Sequence, residues 1–121
     1  MQRHQLPNDE NGEVLWRAVE NGLELGREHR VRFACTFATY AGAFQFGCFL
    51  LRQGYWVQAH ETDGNAGQEV LLEMGLEVTH SEISGAEAWL AEHAAEFGGK
   101  AAGWEIRDPI ERATKIDISE L

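Results

Sequence analysis

"QEVLLEMGLEVTH", residues 68 to 80, decides the fold. Its leucines, glutamates and methionine make it a good helix by propensity. Its spacing is that of a strand. Val70, Leu72, Met74, Leu76 and Val78 take every second position, between Glu69, Leu71, Glu73, Gly75, Glu77 and Thr79. In an extended chain that period puts all the first set on one face; on a helix it scatters them around the cylinder. Propensity is the weaker signal, so the pattern predicts a strand over 69–79, paired as a hairpin with the strand before it. Gly75 marks a candidate bulge.

Upstream, "ETDGNAG" (61–67) is a polar turn. "YWVQAH" (55–60) reads as a strand with Tyr55, Val57 and Ala59 inward and Trp56, Gln58 and His60 outward. "RVRFACTFAT" (30–39) also alternates: Val31, Phe33, Cys35 and Phe37 face one way, Arg32, Ala34, Thr36 and Ala38 the other. Between these strands lies "YAGAFQFGCFLLRQG" (40–54), predicted as a helix capped by Thr39. Phe44, Gly47, Leu50 and Leu51 are expected on its buried side, with Ala43, Phe46 and Cys48 flanking. Its roughly four turns are too short to cross a bilayer. Arg52, Gln53 and Gly54 end it.

"LPNDENGEVLWRAVENG" (6–22) predicts an opening helix. Asn8 or Asp9 caps it, Leu15, Ala18, Val19 and Leu23 form its apolar stripe, and Gly22 stops it. Trp16 falls off that stripe and is expected to be more exposed. "SGAEAWLAEHAAEFGG" (84–99) is the clearest helix, with Ser84 and Glu87 at capping-box spacing and Ala86, Leu90, Ala94 and Phe97 buried. "KAAGWEI" (100–106) predicts the last strand, Ala102, Trp104 and Ile106 inward.

A helix followed by β-α-β-β-α-β is the order of the ferredoxin-like split βαβ unit, an α+β fold. It implies an antiparallel sheet with helices on one face and strands in the order fourth, first, third, second. The chain has 121 residues, 44% of them hydrophobic, which suits one domain with its own core. We expect a single domain over 1–121, with its core at about 6–107 and a tail, "RDPIERATKIDISEL", closing the chain over 108–121 after Arg107.

Lysine and arginine number 10 against 20 aspartates and glutamates, a formal charge of −10. Such a surface repels phosphate backbones, which argues against direct nucleic-acid binding and for a basic protein partner. "MQRHQLPNDENGEV" has no apolar core of a signal peptide, and no run reaches the length of a membrane span, so a cytoplasmic protein is expected. Cys35 and Cys48 are too few for a disulfide framework.

The search for chemistry comes back empty. His60-Glu61-Thr62-Asp63 lacks further ligands at metal spacing. The two cysteines sit on packing faces, with no histidine–carboxylate relay. Gly98-Gly99-Lys100 lacks the remaining phosphate-loop residues and ends a helix instead of starting one. No cofactor and no metal are expected. Trp89 and Trp104 read as core or its rim. Trp56 faces away from the helices and reads either as an exposed anchor for a partner, because aromatic side chains dominate binding hot spots, or as a ring covered by the tail or the first helix.

Three stretches, "LPNDENGEVLWRAVENGLELGREHRVRFACTF", "FLLRQGYWV" and "EAWLAEHAAEFGGKAAGWE", together resemble the regulator of ribonuclease activity B family, inhibitors of ribonuclease E. The likeness rests on an N-D-x-x-G start to the first helix, a Gly-Tyr entering the second strand, and a helix closing on F-G-G before G-W-E. It spans about residues 6 to 107. Two features depart from the family pattern: Ala102 stands where an aspartate often precedes Gly-Trp, and the tail is short and mixed in sign.

The resemblance implies a ferredoxin-like fold, no catalysis, and inhibition of the endoribonuclease by binding the enzyme protein. The alternative from the residues alone is a small-ligand-binding or self-associating module, a homodimer included, that uses the open sheet face; an undetected enzyme is third. The partner-binding candidates on that face are Arg32, Trp56, His60, Leu71, Glu73, Glu77 and Glu105, around the smaller Ala34, Thr36 and Gly103. On this reading Trp56→Ala and Glu73→Lys weaken partner binding and leave the fold intact.

Overall fold

The computed structural model describes residues 2–61 and 67–107. Most of the predicted 61–67 turn, and the tail at 108–121, lie outside the described residues. A short 3-10 turn at Arg3–Gln5 precedes helix α1, Glu10–Glu20. Strand β1 follows (Glu28–Phe37), then helix α2 (Tyr40–Arg52) and strand β2 (Trp56–Glu61). Strand β3 is Gln68–Glu77, helix α3 His80–Ala95 and strand β4 Gly99–Ile106.

The period-two stretch is a strand. β3 pairs antiparallel with β1 along its whole length, Phe33 opposite Leu72 and Cys35 opposite Val70. The sheet runs β2-β3-β1-β4, every pairing antiparallel. Helix α2 lies over β2 and β3, α3 over β4 and β1, and α1 packs on α3. The helices cover one face; among the described residues the other face is left open.

The core lies between. Val31, Phe33, Cys35 and Phe37 from β1 are buried with Val70 and Leu72 from β3, Phe46 and Leu50 from α2, and Ile83, Leu90 and Ala94 from α3. Burial alone pushes the Cys35 thiol up to about 12, so it is a small hydrophobe at neutral pH.

Several expectations needed correction. In α2 the buried side is Gly42, Ala43, Phe46, Gly47 and Leu50, while Phe44 and Leu51 are 57% and 59% exposed. The helix is apolar nearly all round, so its sequence contained two competing stripes, and the close seat of Gly42 chose between them. A Cβ there would strike the carbonyl oxygen of Phe97.

Helix α3 starts a turn early. Thr79 caps it by accepting from the Glu82 N–H at 3.2 Å, and Thr79 and Glu82 have the same spacing as Ser84 and Glu87. Trp16 is not set apart on α1: it is half-buried against the core like Leu23. On edge strand β2, Ala59 shares the inward face with its partner Val70 but is left exposed at the edge.

Gly75 is in regular register opposite Arg30. The bulge is in β4: Ala34 pairs with Gly103 and Cys35 with Ala101, so Ala102 is the extra residue and is exposed, not inward. Gly103 beside it has φ +134°, a conformation that favours glycine.

Candidate protein-binding face

The register lines the outward side chains into rows. Trp56, Glu73, Arg32 and Glu105 sit side by side across the four strands. Gln58, Leu71, Ala34 and Gly103 form the next row, then His60, Glu69, Thr36 and Lys100.

The first row is tightly built. Arg32 donates to Glu73 Oε2 through Nη2 at 2.6 Å and Nε at 3.0 Å. Its guanidinium carbon lies 5.1 Å from the centre of the Trp56 ring, a cation–π contact. Arg30 Nε approaches the other Glu73 oxygen at 3.8 Å. Trp56 remains 47% exposed, an aromatic platform oriented from beneath by an arginine that is itself fixed by a carboxylate.

Glu73 is therefore not a loose surface acid. Glu73→Lys would leave three cations together, so the expectation that this change spares the fold is withdrawn; Glu73→Gln is the variant that probes its charge. Glu105 is paired with Arg107 at 3.1 Å, and His60 Nε2 lies 2.8 Å from Glu69 Oε1. Leu71, half-buried, lines a shallow depression of about 340 Å³ with Arg32, Ala34, Gly103 and Glu105. Glu77 stands apart at the far end of β3, opposite Glu28. The structure thus brings Arg32, Trp56, Glu73 and Glu105 into one row, sets Leu71 and His60 in the following rows, and separates Glu77.

Sequence reading missed a second polar cluster, at the junction of α1, α3 and β4. The Trp104 indole N–H donates to Asn11 Oδ1 at 2.9 Å. Asn11 Nδ2 donates to Ser84 Oγ at 3.0 Å and Glu87 Oε1 at 2.8 Å. Asp9 accepts from the Gly12 N–H at 2.8 Å, and its carboxylate meets His80 Nε2 at 2.9 Å. The Gly12 bond above all, with help from His80, holds the Asp9 carboxyl below the usual carboxylate range. Gly12 has no room for a side chain, because a Cβ would collide with the Pro7 carbonyl. The N-D-x-x-G signature was the visible signal here: it builds a helix start and a clamp.

Among the described residues no group of three or more histidines, cysteines or acids could hold a metal ion, and no helix is long and apolar enough to cross a membrane. The pattern that defines the family described as "Regulator of ribonuclease activity B" matches residues 8–106 of this chain. The chain belongs to that family. The match runs from just before the Asp9 cap to the end of β4, so it takes in both the clamp and the open sheet face. Membership in the regulator of ribonuclease activity B family gives the chain a regulatory, non-catalytic role, and the family's name implies a protein partner. Among curated proteins, no sequence matches the chain closely enough to count as a relative.

Proposed function

We propose that this chain restrains ribonuclease E in the cytoplasm by binding the enzyme protein, and that it binds through the open face of its sheet. The row Trp56–Arg32–Glu73 carries the reading. An exposed aromatic ring held by half-buried neighbours on the same face loses little entropy on contact, and the chain around it carries a charge of −10. Arg32, Trp56, His60, Leu71, Glu73 and Glu105 form the surface, with Glu77 at its margin. The shallow relief suits a protein better than a small ligand, which would need a deep apolar lining. The element order and the strand order β2-β3-β1-β4 support a ferredoxin-like split βαβ scaffold.

Purified ribonuclease E cleaving a labelled RNA, with and without the chain, tests this. Cleavage is expected to slow on addition of the chain. Trp56→Ala is expected to abolish most of that effect while the far-ultraviolet circular dichroism stays that of the wild type. Rising salt weakens binding, because exposed charges are screened. Unchanged cleavage and no complex at low salt would overturn the reading.

A further inference from the structure

Strand β3 outruns its neighbour. β2 begins at Trp56, opposite Glu73, so Met74 to Glu77 have β1 on one side and no strand on the other among the described residues. That stretch is about 13 Å of open sheet edge. The Val78 N–H donates to Arg27 O, so strand alternation turns the backbone groups of Met74 and Leu76 toward β1. Those of Gly75 turn outward, as does the Glu77 N–H; the Glu77 carbonyl already accepts from Thr79 N–H.

The edge has a depression on each side. On the helix side is a groove of about 660 Å³ lined by Tyr55, Leu76, Ser81, Glu82, Ala86 and Trp89, with Gly85 at its floor, and its aromatic wall is the Tyr55–Trp89 pair at 6.3 Å. On the open side a second depression, of about 400 Å³, lies between Arg30, Trp56, Glu73 and Gly75. The first joins apolar side chains to the acid of Glu82, and the second sets Arg30 and Glu73 beside Trp56.

Two further features fit an occupant at this edge. Gly85 lies inside α3, where glycine weakens a helix, and a Cβ on it would meet nothing within 4 Å. Glu28 and Glu77 stand directly opposite one another across β1 and β3, a like-charge pair that destabilises a sheet. A close-fitting occupant would use the first and a cation would relieve the second.

We propose that the β3 edge from Met74 to Glu77 takes up an extended peptide segment of a partner protein, in which apolar residues alternate with basic ones. Main-chain hydrogen bonds to Gly75 and Glu77 align the segment. Its apolar side chains enter the groove over Gly85 and Ala86, and its basic side chains meet Glu28 and Glu77. This deepens the reading of the chain as a protein-binding regulator and rests on it.

The probe is a fluorescent, end-capped peptide of about eight residues alternating lysine and valine, long enough to span the edge. Its control has the same composition with the lysines and valines in separate blocks. The alternating peptide is expected to bind the full chain and to slow amide exchange at Gly75 and Glu77; the block peptide does neither. Gly85→Leu fills the groove and Glu77→Lys removes the like-charge pair. Both are expected to hold or raise the melting temperature while weakening peptide binding by about tenfold or more.

Equal binding of the block peptide would reduce the effect to net charge and overturn the proposal. So would wild-type affinity in both variants. Slow exchange at Gly75 and Glu77 in the free chain would also overturn it, because the edge would then be taken by the chain's own tail or a second copy. Ribonuclease E binding that survives Gly85→Leu and Glu77→Lys overturns the edge site alone, whereas absence of any ribonuclease complex strikes the proposed function.

Discussion

Strand β1 has two sides with opposite lives. Val31, Phe33, Cys35 and Phe37 are buried under helices. Arg32, Ala34 and Thr36, one residue away in each case, are half-buried on the face that no described helix covers. The buried side is held by packing that tolerates little change. The open side is held by directed polar contacts, Arg32 to Glu73 and to Trp56, which fix orientation without sealing the surface. Alternation alone creates both, so one strand serves as core and as display.

The sharpest way to break this contrast is at Phe46, fully buried against the β1 face, its ring tilted against Phe37 at 5.2 Å. Phe46→Ala is expected to cost about 3–5 kcal/mol in a urea or guanidinium melt. Next is Leu50, also fully buried: Leu50→Ala should lose about 2–5 kcal/mol. Asn11→Ala leaves the Trp104 indole N–H without its partner and should cost about 1–3 kcal/mol in the same measurement. On the outer side of the same α2 helix, Phe44→Ala is expected to shift the melt by under about 1 kcal/mol. A large loss there would mean that its exposed ring is covered in solution.

The thiols sharpen the same contrast chemically. A colorimetric thiol reagent at mildly alkaline pH is expected to leave Cys35 unmodified in the folded chain and to react with both cysteines in denaturant. Reaction of Cys35 at the Cys48 rate would show that the core opens readily.

Acid offers a smaller test. The Asp9 carboxyl titrates below its ordinary range when folded, so its contribution is present above the ordinary carboxylate pKa and is lost as pH falls through the lower folded value. Asp9→Asn is expected to flatten that part of the stability profile, measured by thermal melts in strongly acidic buffers.

The sheet was legible because alternation in 31–37 and 70–76 is a geometric signal that survives any context. Helix α2 was only half legible. Nearly every side chain in it is apolar, so periodicity cannot say which stripe faces inward: it puts Phe44 on the buried side with Phe46 flanking, whereas Phe46 is the one fully buried. The start of α3 was misplaced because two Ser/Thr-x-x-Glu signatures stand five residues apart, and only the end of β3 at Glu77 decides between them. The β4 bulge gave no warning, since an extra residue in a strand is defined by its neighbour's register. Of the open face, the outward residues could be read, but the Arg32–Glu73 bond and the free edge of β3 could not. Both depend on how far each strand runs beside the next.

The Asn11 clamp has a consequence for the birth of the molecule. Its partners lie 73, 76 and 93 residues further along the chain. At a synthesis rate of about 5–20 residues per second, Asn11 leaves the ribosome roughly 5–20 s before Trp104 does. Throughout that interval α1 has Leu15 and no completed surface on which to bury it. The first helix made is thus among the last to be seated, and its docking marks the arrival of β4.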